Sequence, residues 1–164
     1  MSGRDAIRTA LEATKKDLEM LLADFSDADL FVRPVPNANH AAWQIGNVIG
    51  GDIYLIQAEI PDAKFPELPA GFMEQHGTDA AKNDGPAGFL KKAEYLKLFA
   101  DVRAATVAAV MKLTDADLDR PASEAMRPYA ATLGALLIMI SNHTLWHVGQ
   151  FSVIRRKLGK PVLL

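Results

Sequence analysis

The chain has 164 residues, 49% of them hydrophobic and 23% charged, which suits one domain whose core needs no disulfide to hold it. A net charge of −2, with acids and bases interspersed, offers no surface field suited to nucleic acid or to anionic lipid. The absence of cysteine excludes disulfides, thiolate metal ligands and a protein-borne thiol nucleophile together.

The N-terminal stretch MSGRDAIRTALEATKKDLEM alternates charged and apolar residues and lacks the continuous apolar run of a signal peptide. A cytoplasmic location is the expectation. The longest apolar run, Leu133 to Ile140, is far shorter than the roughly 20 residues that cross a bilayer, so it reads as a buried helix.

The first amphipathic segment, about residues 4 to 24, places Ile7, Leu11, Leu18, Leu21, Leu22 and Phe25 along one stripe. A second helix is predicted from about Ala41 to Ile60, with Asn37 or Asn39 as its cap and Pro61 as its stop. The spacing predicts a third over about Phe89 to Leu113, with Leu96, Phe99, Val102, Thr106 and Leu113 on one side. The fourth is expected from about Ala131 to Leu158, closed by Arg155, Arg156 and Lys157 and then Gly159 and Pro161. These elements predict an all-α fold, a four-helix bundle in a single domain spanning residues 1 to 164.

Between the second and third helices, residues 61 to 88 are rich in proline and glycine, with a possible helical turn near Phe72 to His76. A connection of this length suits either a plain surface crossover or a segment that covers a site. It also gives the chain room to return along the bundle, so that the third helix runs parallel to the second. A short echo, Phe25-Ser-Asp-Ala-Asp-Leu before Arg33-Pro34 and Leu113-Thr-Asp-Ala-Asp-Leu before Arg120-Pro121, suggests two helical hairpins in tandem. Ordinary capping chemistry explains the same pattern.

In the fourth helix the core stripe runs Leu133, Leu136, Ile140, His143, His147, Phe151, Ile154 and Leu158, so both histidines fall where an apolar residue belongs. Residues four apart share a helical face, and two imidazoles so placed can converge on one metal ion. The alternative is a pair of core histidines satisfied by hydrogen bonds. In the second helix the unusual face is Trp43, Asn47, Gly50, Gly51 and Tyr54; its two adjacent glycines allow either close helix packing or room for a ligand. Trp43, Gly50, Gly51, Tyr54 and Trp146 are candidate pocket-lining residues. No zinc-protease helix, nucleophile elbow, phosphate loop, dinucleotide fingerprint or di-iron Glu-x-x-His pair is present, and no catalytic residue is assigned.

The segment Asn39-His-Ala-Ala-Trp-Gln-Ile-Gly-Asn47, with Asn142-His-Thr-Leu-Trp-His-Val-Gly-Gln150 and the following Arg-Arg-Lys-Leu-Gly-Lys-Pro, resembles the DinB/YfiT-like superfamily, which includes thiol-dependent transferases. The resemblance covers nearly the whole chain. It implies an up-down-down-up bundle, often dimeric, holding one divalent ion, zinc or nickel, on three histidines. Two of these fall on His143 and His147, and the third falls on Asn47. The resemblance further implies a metal-dependent transferase or hydrolase acting on a small molecule, with a low-molecular-weight thiol as a possible partner; the alternative is a metal-free ligand-binding or structural bundle. His40, two turns before Asn47, is poorly placed to replace the missing ligand, and His76 could reach only if its loop folds inward.

Overall fold

The computed structural model describes residues 1–164, and four long helices dominate it. They are α1 (Gly3–Leu22), α2 (Ala41–Glu59), α4 (Lys92–Val110) and α6 (Leu133–Lys157), with short α3 (Phe72–Gln75) and α5 (Asp115–Asp119) between them. Each long helix lies within two or three residues of its expected bounds. The serine or threonine at an N-terminus accounts for two of the starts: Ser2 and Asp5 exchange hydrogen bonds in a capping box, and Thr132 Oγ1 accepts from the Ala135 amide.

Two apolar clusters show how the helices run. One gathers Leu18, Leu21 and Leu22 of α1, Ala41, Ile45 and Ile49 of α2, Tyr95 and Phe99 of α4, and Phe151 and Ile154 of α6. The other gathers Ile7 and Leu11, Ile56, Ala109 and Val110, and Leu133, Leu136 and Ile140. The C-terminal half of α1 thus meets the N-terminal halves of α2 and α4 and the C-terminal half of α6, which is the up-down-down-up arrangement. Residues 61–91 carry the chain back along the bundle, leaving α4 parallel to α2.

The two long helices that flank each echo motif, α1 with α2 and α4 with α6, are not packing partners. α1 lies against α6 and α4, and α2 lies against α4 and α6, so the echo motifs do not mark helical hairpins. What they share is local chemistry: in Ser26 with Asp29, and in Thr114 with Asp117, each backbone N–H donates to the other residue's side-chain oxygen. The arginine after each motif ties down distant backbone. Arg33 donates to the carbonyls of Ala38, Ala81 and Asn83, and Arg120 to Glu59.

A polar layer separates the two clusters. Arg103, Asp52, Thr14, Thr106 and Thr144 are all buried, and together they come from all four long helices. Arg103 Nη2 donates to Asp52 Oδ1 at 3.2 Å and to Thr144 Oγ1 at 2.6 Å, and Nη1 donates to the Leu11 carbonyl at 3.3 Å. Arg103 Nε lies 2.9 Å from Asp52 Oδ2 but is not aligned for a hydrogen bond. Burial pushes the Asp52 carboxyl up to about 6, against the pull of Arg103, so ionising it inside the fold carries a cost. Arg103→Met should therefore destabilise by about 3–5 kcal/mol, while Arg103→Met with Asp52→Leu should lie within about 2 kcal/mol of the parent in urea denaturation.

The cap of α2 is neither Asn37, whose backbone has φ 66°, nor Asn39, but His40. His40 Nδ1 accepts from the Trp43 amide at 3.2 Å, so Nε2 carries the proton and donates to the Asn83 carbonyl at 3.1 Å. Burial holds this imidazole below its ordinary value, with the Asn83 hydrogen bond opposing and nearby Arg33 adding to the effect. A folded-state value below the unfolded one gives stability that is complete above pH about 6.5 and declines as pH falls. The stability difference between the parent and His40→Asn should therefore shrink or reverse between pH 7.5 and pH 5, measured by thermal melts across that range.

Candidate metal centre

His143 and His147 do converge. Their Nε2 atoms lie 3.2 Å apart, near the ~3.3 Å expected for two imidazoles on one tetrahedral zinc with 2.0–2.1 Å bonds. The protein holds this geometry from α2. His147 Nδ1 lies 2.9 Å from Gln44 Oε1, and Gln44 Nε2 donates to the Asn39 carbonyl at 2.6 Å. A carbonyl only accepts, so the Gln44 amide nitrogen must face Asn39 and its oxygen must face His147. His147 therefore carries its proton on Nδ1 and leaves Nε2 bare, the arrangement that outer partners impose on ligating histidines. Burial, reinforced by His143, takes the His147 imidazole down to about 3; burial, with Arg103 adding, also lowers His143. Both rings are neutral near pH 7, as metal ligation requires.

The donor set stops at two imidazoles. No group of three histidine, cysteine or acidic side chains is clustered for a metal ion. Asn47 Nδ2 donates to the backbone carbonyl of His76 at 3.1 Å, leaving Oδ1 as its one remaining donor atom. The loop does fold inward, yet His76 is not a third ligand: Nδ1 donates to the Phe72 carbonyl at 2.7 Å, and Nε2 accepts from the Tyr95 hydroxyl at 2.6 Å. His40 is spent on its cap.

Beside the pair lies a cavity of about 560 Å3. Asn47, Gly50, Gly51, Tyr54, His143 and Trp146 line it, joined by Met73, His76, Tyr129 and Met139 among others. Trp43 is not among the lining residues; its indole N–H instead donates to the Gly77 carbonyl at 2.9 Å. Trp43 and Asn47, one helical turn apart, thus pin consecutive carbonyls of the crossover against α2. The glycines make room for side chains, not for another helix backbone. A Cβ on Gly51 would sit 3.1 Å from His143 Cε1, and one on Gly50 would sit 3.1 Å from Met73 Sδ.

Gln44, Arg103 and Asp52 are the residues the sequence reading missed. A signal was present: Gln44 interrupts an apolar run at the start of α2, and Arg103 stands four residues after Phe99 on the stripe that continues to Thr106 and Val110.

The tightest packing is at Gly46, where a Cβ would fall 1.9 Å from His76 Cδ2. Alanine in a helix ordinarily gains about 1 kcal/mol over glycine, but here the imidazole is fixed by two hydrogen bonds and overpacking costs about 1–3 kcal/mol. Gly46→Ala should lower the melting temperature and speed protease cleavage within residues 61–88.

No curated protein matches the sequence. Among solved structures the chain is similar to YfiT from Bacillus subtilis, described as a probable metal-dependent hydrolase with an unusual four-helix bundle topology. The TM-score is 0.67 at 15% identity, covering 96% of this chain and 89% of that one. It is similar also to a conserved protein from Enterococcus faecalis, with a TM-score of 0.70 at 18% identity, covering 98% of this chain and 99% of that one. At such identities the likeness concerns the fold. The DinB superfamily model matches residues 10–151, and the chain belongs to that superfamily.

Proposed function

We propose that the protein is a divalent-metal-dependent enzyme acting on a small organic molecule, with His143 and His147 as the protein's anchor for the ion. The observation that carries this reading is the 3.2 Å separation of two neutral imidazole nitrogens, one of them oriented by Gln44. Imidazole donors suit zinc or nickel, and the Asn47 amide oxygen is a weaker donor available to either. YfiT's description as a probable metal-dependent hydrolase points the same way. With two firm protein ligands, more positions stay open for water and substrate than in a three-histidine site, and affinity for the ion is correspondingly lower.

When bound, such an ion lowers the pKa of a coordinated water or thiol and supplies a nucleophile near neutral pH. Hydrolysis uses the water; transfer uses an external thiol, since the chain has no cysteine. The residues of the chain do the rest. Gln44 holds the His147 ring, Asn47 and Trp43 hold the crossover as one wall, and the apolar cavity beside His143 binds the substrate body and excludes bulk water.

A second reading, a metal-free binding protein, draws support from Asn47, whose amide fastens the crossover at the position where the resemblance places a histidine. Zinc and nickel titration of tag-free protein by calorimetry separates the two. The metal reading expects one ion per chain, loss of binding in His147→Ala, and a 10–100-fold weaker affinity in Gln44→Leu. Absence of stoichiometric binding in the parent, with binding restored by Asn47→His, gives the site to the metal-free reading.

A further inference from the structure

The hydrogen-bond chain through the histidine pair has a direction, and it ends in the cavity. It starts at the Asn39 carbonyl, which can only accept, and this fixes the Gln44 amide and then the His147 proton on Nδ1. His147 Nε2 is then an acceptor, so the 3.2 Å contact between the two Nε2 atoms requires His143 to be the donor. A neutral imidazole has one proton. His143 has placed it on Nε2, which leaves Nδ1 with a bare lone pair that takes part in no hydrogen bond within the protein.

That edge of the ring is uncovered because Gly51 stands opposite: a Cβ there would lie 3.2 Å from His143 Nδ1. Both residues line the same cavity. Around them are Tyr54, Leu55, Met73, Pro128, Met139 and Trp146, and no lysine, arginine, aspartate or glutamate lines the space. A charged ligand would lose its hydration there with no opposite charge to offset the loss. An uncharged ring system would find aromatic and thioether surfaces suited to it.

From the relay and the cavity together, we propose that the metal-free pocket is a binding site for uncharged, mainly apolar, aromatic-sized molecules that carry one hydrogen-bond donor, which His143 Nδ1 accepts. The relay from Asn39 through Gln44 and His147 sets this preference, and Gly51 keeps the acceptor reachable. The inference goes beyond the enzyme reading above and requires no ion at the site.

Three naphthalenes of nearly equal shape test it in buffer containing EDTA at pH 7.5: 2-naphthol, which is neutral and has a donor; 2-methoxynaphthalene, which has none; and 2-naphthoate, which is an anion. The parent should bind 2-naphthol at least about tenfold more tightly than 2-methoxynaphthalene, with 2-naphthoate the weakest. Gly51→Ala, a substitution favourable to the helix itself, places a methyl group against Nδ1 and should bring the naphthol-to-methoxynaphthalene ratio close to one. Gln44→Leu should do the same by freeing the tautomer, with circular dichroism showing that the fold is kept. Imidazole 15N chemical shifts read the relay directly: in the metal-free parent His143 Nδ1 and His147 Nε2 should show as unprotonated nitrogens. An equal affinity for 2-naphthol and 2-methoxynaphthalene, tighter binding of 2-naphthoate, or a protonated His143 Nδ1 would each overturn the proposal. Because EDTA is present throughout, these outcomes are independent of whether zinc or nickel binds.

Discussion

The bundle is organised around one buried ion pair. Arg103 and Asp52 meet at the middle of the structure, and threonines from α1, α4 and α6 complete their surroundings. Such a pair contributes little net stability, because the desolvation of both charges offsets their attraction. Its effect is on specificity: a helix that slipped by one turn would leave a charge buried without its partner. The polar layer therefore fixes the axial position of α2, α4 and α6, and the imidazole pair of α6 inherits that register relative to Gln44 and Gly51 of α2.

The same layer explains why the core divides into two clusters and why the site sits where it does. His143 and Thr144 are adjacent in α6, one facing the cavity and the other bonded to Arg103. Polar groups that would be costly in either apolar half are gathered where partners exist. The cavity opens beside this layer because glycines at positions 50 and 51 withhold side chains there, while Met73 and His143 approach the vacated space.

Much of the fold was legible from spacing and caps. The stripe of α1 and the terminal signals of α6 each follow from local chemistry that tertiary packing did not override. Helix pairing was not legible in the same way, because capping motifs repeat for local reasons and carry no information about which helices touch. The histidine pair showed itself as two polar residues on an apolar stripe. Gln44 and Arg103 had the same signature, but each is a long side chain whose polar head can reach solvent from many positions, so its burial was decided only by a partner distant in sequence. His147 is 103 residues from Gln44, and Asp52 is 51 residues from Arg103. His76 was hidden for another reason: its place depends on how a long proline- and glycine-rich segment folds back, which no periodicity records.

The crossover between α2 and α4 has a consequence for how this architecture can vary. A residue inserted within a long helix rotates everything beyond it by about 100° and would carry Arg103, Asp52 or the imidazoles off the interior. The crossover is under no such constraint. It is anchored at a few points, through Arg33, His40, Trp43, Asn47 and Tyr95, and between them its path is free to lengthen or shorten. Because this segment also supplies Met73, His76 and Gly77 to the cavity, evolution can reshape the chamber by insertion and deletion there while the helices that carry the histidines keep their length.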